Sequence, residues 1–186
     1  MSRPALYVRH PGFCLLLLFN IVMKTLYLIR HAKSSWSYRQ LDDFDRPLND
    51  RGRRDVVRMG NYLASRIPPP ALMVASTASR ALYTSLFLAD AWGIPEERVH
   101  LEPTLYHADE EEILEVVREY GRGEILALTG HNPGMTGLAN ELCGKWTENI
   151  PTCGVMGINF DIDHWEQIGE RKGVQSFFYF PKNIVK

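Results

Sequence analysis

The sequence predicts an α/β fold: a three-layer sandwich in which a mostly parallel sheet carries helices on both faces, with an antiparallel strand near the C-terminus. Three observations predict it. From Met23 onward, short β-rich runs alternate with amphipathic helical patterns. The last two β-rich runs, 155–162 and 175–180, are joined by a short link that suits an antiparallel pair better than a parallel crossover. No internal repeat or low-complexity linker divides the 186 residues, which have the length of one ordinary domain with a sizeable core.

Residues 25–29 read as the first strand. A helix follows with Asn49 as its N-cap, and Val56, Met59, Leu63 and Ile67 recur on one face at helical spacing until Pro68, Pro69 and Pro70 end it. Residues 71–75 read as the second strand, after which Ser76 or Thr77 is expected to cap a helix carrying Arg80, Leu82, Leu86 and Ala89. Gly93 and Pro95 close that helix. Residues 99–101 form a short strand, and Ile113, Val116, Val117 and Tyr120 mark another amphipathic helix. Glu110, Glu111 and Glu112 sit at its start, where the helix dipole favours negative charge. Residues 124–129 read as a buried strand. A helix running to about Cys143 then starts with Asn132 as N-cap and Pro133 at its first position.

Residues 1–22 are read as an N-terminal extension outside the catalytic fold, which is assigned to residues 23–186. The apolar run 13–22 resembles the core of a signal peptide, but it is too short to span a bilayer, Asn20 interrupts it, and no small-residue cleavage site follows. Hydrophobic residues make up 45% and charged residues 23%, the composition of a soluble globular protein, and the net charge of -1 excludes a broad nucleic-acid footprint. Three cysteines with no CxxC pair suit reduced thiols and a cytoplasmic location, and no membrane association is expected.

The chemistry gathers at strand ends. In open α/β sheets ligands bind at the carboxyl ends of the strands. Arg30 and His31 follow the first strand, Arg80 opens the helix after the second, and His131 follows the strand ending at Thr129. Two guanidinium groups match phosphate oxygens in bidentate geometry, and helix N-termini add oriented backbone donors. A neutral imidazole among such cations can attack phosphorus and split one displacement into two easier ones, without a metal. By contrast, Arg9 and His10 form a similar dipeptide without that context. A cysteine-based phosphatase needs Arg six residues after Cys, and those positions hold Asn20, Asn149 and Asn159, so that class is excluded. Asp42, Asp43 and Asp45 read as solvated loop charges, although a mobile loop near the site could bring one in. His100, His107 and His164 lack metal-ligand spacing and read as surface residues.

The segments LYLIRHAKSSW, DRPLNDRG, SxxSRALYT and LTGHNPG, in this order from Met23 to about Phe160, closely resemble the histidine phosphatase (phosphoglycerate mutase-like) superfamily, and its SixA-type phosphohistidine phosphatases in particular. The resemblance implies a phosphatase with His31 as the phosphorylated nucleophile and Arg30, Arg80 and His131 as phosphate-binding residues. It implies no cofactor and a phosphorylated protein or small phosphorylated molecule as substrate. A general phosphomonoesterase or mutase on the same scaffold is the alternative. Two departures stand out. Ala32 replaces the common Gly of the signature, as in the SixA-like branch. Counting back three residues from Tyr106, where the wider family places its proton-donating carboxylate, gives Pro103, which leaves the adjacent Glu102 as the candidate acid.

Overall fold

The computed structural model describes residues 23–169 and 172–184, so the expected N-terminal extension lies outside the described residues. Ten principal elements follow one another: β1 (Lys24–Arg30), α1 (Asp50–Ala64), β2 (Leu72–Ser76), α2 (Ser79–Trp92), β3 (Val99–Glu102), α3 (Glu110–Tyr120), β4 (Ile125–Gly130), α4 (Gly134–Cys143), β5 (Val155–Phe160) and β6 (Val174–Tyr179).

The six strands form one sheet in the order β3-β2-β4-β1-β5-β6. The first four in that order pair in parallel, and β5 runs antiparallel to both β1 and β6. The single reversed strand is therefore β5, and the predicted architecture holds. Because side chains alternate across a strand, β1 sends Leu26 and Leu28 to one face and Tyr27 and Ile29 to the other. Each set meets a separate core. Leu26 and Leu28 pack with Leu126 and Leu128 of β4 against Ile113 and Val117 of α3 and Leu138 and Leu142 of α4. Tyr27 and Ile29 pack with Met73 and Ala127 against Val56, Met59 and Leu63 of α1 and Leu88 of α2. A central strand covered on both faces must be apolar throughout, which is why β1 and β4 read as continuous hydrophobic runs.

Three helix ends differ from the sequence expectation. The first helix closes at Ala64, and Ile67 lies beyond it, held by a hydrogen bond from its N–H to Leu63 O. The second starts after Ala78 rather than Ser76 or Thr77. The Ser76 hydroxyl is instead 2.9 Å from the His131 ring, and its oxygen accepts the Ala78 N–H. The fourth starts after Pro133, because the Asn132 side chain turns outward to donate to Asn149 Oδ1 and Ile150 O and caps nothing.

Asn49 does cap α1, accepting from Gly52 N at 2.8 Å, and it also fastens the loop between β1 and α1. Its backbone N–H donates to Lys33 O and its amide to Ser34 O. Gly52 lets this approach happen, since a Cβ there would lie 2.1 Å from Lys33 O. Asn49→Ala is expected to lower unfolding stability by about 1 kcal/mol, the usual cost of an N-cap. A melting temperature unchanged from wild type would contradict this.

Among the described residues no helix is long and apolar enough to cross a membrane. Cys143 and Cys153 are free thiols.

Candidate active site

The parallel strands β1, β2 and β4 end on the same side of the sheet, and their register sets Arg30 beside Gly130 and Ala75 beside Thr129. The residues that follow these ends, His31 and His131, are therefore brought together, with ring centroids 5.0 Å apart. Both are buried, at 9% and 6% exposed. Arg80, on the first turn of α2, is 3% exposed. The strand ends thus converge as the sequence predicts.

His31 is fixed through its own backbone and ring. Its N–H donates to Gly130 O, and its Nδ1 lies 2.7 Å from Ala32 O. A carbonyl only accepts, so Nδ1 carries the ring proton and Nε2 keeps the lone pair. Burial, with the positive charges of Arg80, Arg30 and Arg46 adding to it, pushes the His31 pKa down to about 4. The ring is a neutral base at neutral pH. His131 is pushed down to about 3 by burial, then by His31, Arg80 and His107, and it too is neutral. The alanine of the RHA signature is fully buried, and its N–H donates to Thr84 Oγ1 on α2, which in turn donates to Arg80 O. This chain of bonds ties the His31 turn to the helix that carries Arg80.

Three guanidinium groups surround the histidines. Arg30 donates to Asn149 Oδ1 at 3.0 Å and to Ile150 O at 2.8 Å. Arg80 forks onto Asp43, with one nitrogen on its backbone O and the other on Oδ2 at 2.8 Å. Arg46, from the loop between β1 and α1, lies 3.4 Å over the Trp36 ring and pairs with Asp43 Oδ1 at 3.1 Å. Arg30 Nε, Arg80 Nε, and Arg46 Nε and Nη1 are buried without a hydrogen-bond partner among the described residues. Buried donors without acceptors are costly. Their concentration around one imidazole gives the arrangement the donors to hold an anion with several oxygens.

One sequence reading is corrected here and another gains a contact that the sequence did not show. Asp43, read as a solvated loop charge, is inside the site. Besides the two arginines it accepts from the Tyr106 hydroxyl at 3.0 Å, and it lies 3.7 Å from His107 Nε2. Burial raises its pKa, but the Tyr106 hydroxyl and the Arg80 and Arg46 charges outweigh this and hold the carboxyl below its usual range. His107, read as a surface residue, is exposed as expected, and its ring lies nearly parallel to His131 at 6.1 Å and edge-on to Tyr106 at 4.1 Å.

Glu102, the candidate acid, is drawn elsewhere. Its carboxylate accepts from Thr104 N at 2.9 Å and from the Tyr120 hydroxyl at 2.8 Å, and the Thr104 bond foremost holds its pKa below the ordinary value. It caps the short turn 103–105 and buttresses α3. Sequence reasoning also passed over Arg46, Tyr106 and Asn149. Arg46 had a usable signal, since it stands inside the DRPLNDRG segment three residues after Asp43.

The sequence profile of the histidine phosphatase superfamily (branch 1) matches residues 26–109. An uncharacterized chloroplastic protein of Arabidopsis thaliana is 29% identical over 155 residues, which are 78% of this chain and 71% of that protein. An uncharacterized protein of Mycobacterium tuberculosis is 28% identical over 165 residues, covering 83% of this chain and all of that one. Among solved structures, a proposed phosphohistidine phosphatase SixA from Agrobacterium tumefaciens superposes with a TM-score of 0.71 at 25% identity, over 84% of this chain and 97% of that chain. The protein histidine phosphatase SixA complexed with tungstate superposes with a TM-score of 0.73 at 19% identity, over 87% and 99%, and shares the fold. The profile runs from β1 to the residue before α3 and so takes in Arg30, His31, Asp43, Arg46, Arg80 and His107, and over this stretch the chain is similar to the histidine phosphatase superfamily.

Proposed function

We propose that this protein is a metal-independent phosphohistidine phosphatase that carries the phosphoryl group on Nε2 of His31. The observation that supports it most directly is the state of that ring: Nδ1 is committed to Ala32 O, burial keeps the imidazole unprotonated, and three guanidinium groups lie around it. A neutral nucleophile in a cationic cage attacks a dianionic phosphoryl group without an anion of its own to repel it. Arg30, Arg80 and His131 hold and polarise the phosphoryl oxygens, with Arg46 as a further cation. For Arg80 and Arg46 this means exchanging the Asp43 carboxylate for phosphoryl oxygens. The names of the SixA structures support phosphohistidine as the substrate. The free thiols Cys143 and Cys153 support a reducing, cytoplasmic setting.

The positive field that many phosphatases take from a divalent ion is supplied here by arginine. Turnover of a phosphohistidine peptide is therefore expected to persist in EDTA and to stop with vanadate, and to exceed that of an alkyl phosphate in kcat/KM. During turnover, acid-labile phosphate should appear on His31. Complete loss in EDTA that a divalent ion restores, or a wide preference for the alkyl ester, would replace this reading with a metal-dependent or general phosphomonoesterase.

A further inference from the structure

Two-step phosphoryl transfer through His31 needs one group to protonate the leaving group and then take a proton from water. The Glu102 carboxylate is spent on Thr104 and Tyr120. Asp43 pairs with Arg80 and Arg46 and accepts from Tyr106, so it meets the substrate as a carboxylate that brings no proton to give. His131 is buried, with Nε2 on the Ser76 hydroxyl.

We infer that His107 is the general acid and base of this site, with Asp43 as its positioning residue. The inference rests on His31 as nucleophile. Four observations carry it. The His107 ring lies nearly parallel to His131, 19° between planes, on a ring that also neighbours His31. Its Nε2 is 3.7 Å from Asp43 Oδ2, an ion-pair distance that orients the ring and leaves Nδ1 to exchange protons. Its side chain is 64% exposed, so a leaving group and water both reach it. Its backbone has φ of 60°, a left-handed conformation uncommon for a residue with a Cβ, and such conformations concentrate at functional sites. The charged and titratable groups facing it are Asp43 from the loop before α1, Arg80 and Arg46 through that carboxylate, Tyr106 beside it in sequence, and His131 after β4.

The steps balance as follows. His31 Nε2 bonds to phosphorus while the bond from phosphorus to the substrate imidazole breaks. The bonding pair stays on the departing nitrogen, and the His107 imidazolium places its proton on the other ring nitrogen. Neutral imidazole leaves, with neutral His107 and phosphorylated His31 behind it. Water then attacks phosphorus and gives a proton to His107, while the bond from phosphorus to His31 Nε2 breaks and its pair returns to Nε2. Hydrogen phosphate departs, and both histidines return to their starting states.

The test uses the full chain and two probes, 1-phosphoimidazole and 1-phospho-3-methylimidazolium, above neutrality. The first needs a proton to leave, whereas the second carries a fixed positive charge and does not. His107→Asn removes proton transfer and keeps a residue that tolerates a left-handed backbone. Since kcat/KM covers events only as far as phosphoryl-enzyme formation, the variant is expected to lose about a hundredfold on 1-phosphoimidazole, and less than about threefold on the methylated cation. Added imidazole should restore the first reaction. With the methylated cation, the variant should accumulate phosphate on His31, because hydrolysis of that intermediate has lost its base. Equal losses on both probes, or no loss and no accumulation, would overturn the role of His107. Turnover retained by His31→Ala, or no turnover of either probe by wild type, would instead remove the nucleophile reading and this inference with it.

Discussion

His31→Ala is expected to abolish turnover, lowering kcat by roughly four orders of magnitude or more, at least about 5 kcal/mol of barrier. The neighbouring arginines and His131 remain in that variant and still bind phosphate, so binding of vanadate is expected to survive better than turnover. The fold should survive as well, since the bonds that anchor the turn, His31 N–H to Gly130 O and Ala32 N–H to Thr84 Oγ1, involve backbone donors. The same residue sets a pH dependence. Only the unprotonated ring is nucleophilic, and its pKa lies at about 4 rather than near the ordinary histidine value. Activity limited by His31 therefore rises with pH through about 4 and is already flat where an unperturbed histidine would begin to titrate. Titration of the His31 imidazole by NMR checks this directly. A midpoint near that of a free histidine would show that burial and the three arginines fail to hold the ring neutral. Turnover retained by His31→Ala would end the covalent mechanism.

The fold was legible because the physics that decides it is local and repetitive. Alternation along β1 divides Leu26 and Leu28 from Tyr27 and Ile29 whatever the rest of the chain does, and the spacing of Val56, Met59 and Leu63 defines one face of α1 by itself. The helix starts that deviated, at Ser76 and Asn132, share one cause. In each case the polar side chain that reads as a cap has a stronger engagement across the sheet end, with His131 or with Asn149 and Ile150. Arg30, His31, Arg80 and His131 were legible because strand ends are fixed by the sheet. Asp43 and His107 were not, since both lie on irregular chain whose course is set by long-range bonds. Ser35 N–H to Pro47 O and Ser79 N–H to Phe44 O fold the loop before α1 back over the strand ends, and nothing in the local pattern states that. Glu102 shows the converse limit. Its place next to Pro103 in the sequence made it the candidate acid, but adjacency in sequence does not decide where a side chain points. The Thr104 N–H two residues on competes for it locally.

Arg80 offers the sharpest separation of charge from geometry. Arg80→Ala is expected to lower kcat/KM by two to three orders of magnitude, about 3–4 kcal/mol, the range found when a preorganised donor to a developing oxyanion is removed. Its fork already holds two oxygens of one residue, the backbone and side-chain oxygens of Asp43, in the arrangement that two phosphoryl oxygens require. Arg80→Lys keeps the positive charge but replaces that rigid planar fork with a single ammonium on a flexible stem. If the fork matters more than the charge, Arg80→Lys should lose most of what Arg80→Ala loses. The residue is buried and its backbone carbonyl accepts from Thr84, so unfolding of each variant must be measured beside its kinetics. A second consequence separates binding from chemistry. Substrate has to displace Asp43 from Arg80, so wild-type KM includes the cost of parting that ion pair, whereas the Arg80→Ala site has no such pair to break. The loss should therefore appear in kcat more than in KM. A variant that keeps wild-type kcat and only raises KM would mean that Arg80 holds the ground state and the transition state equally, and the stabilisation of charge at phosphorus would then fall to Arg30 and Arg46.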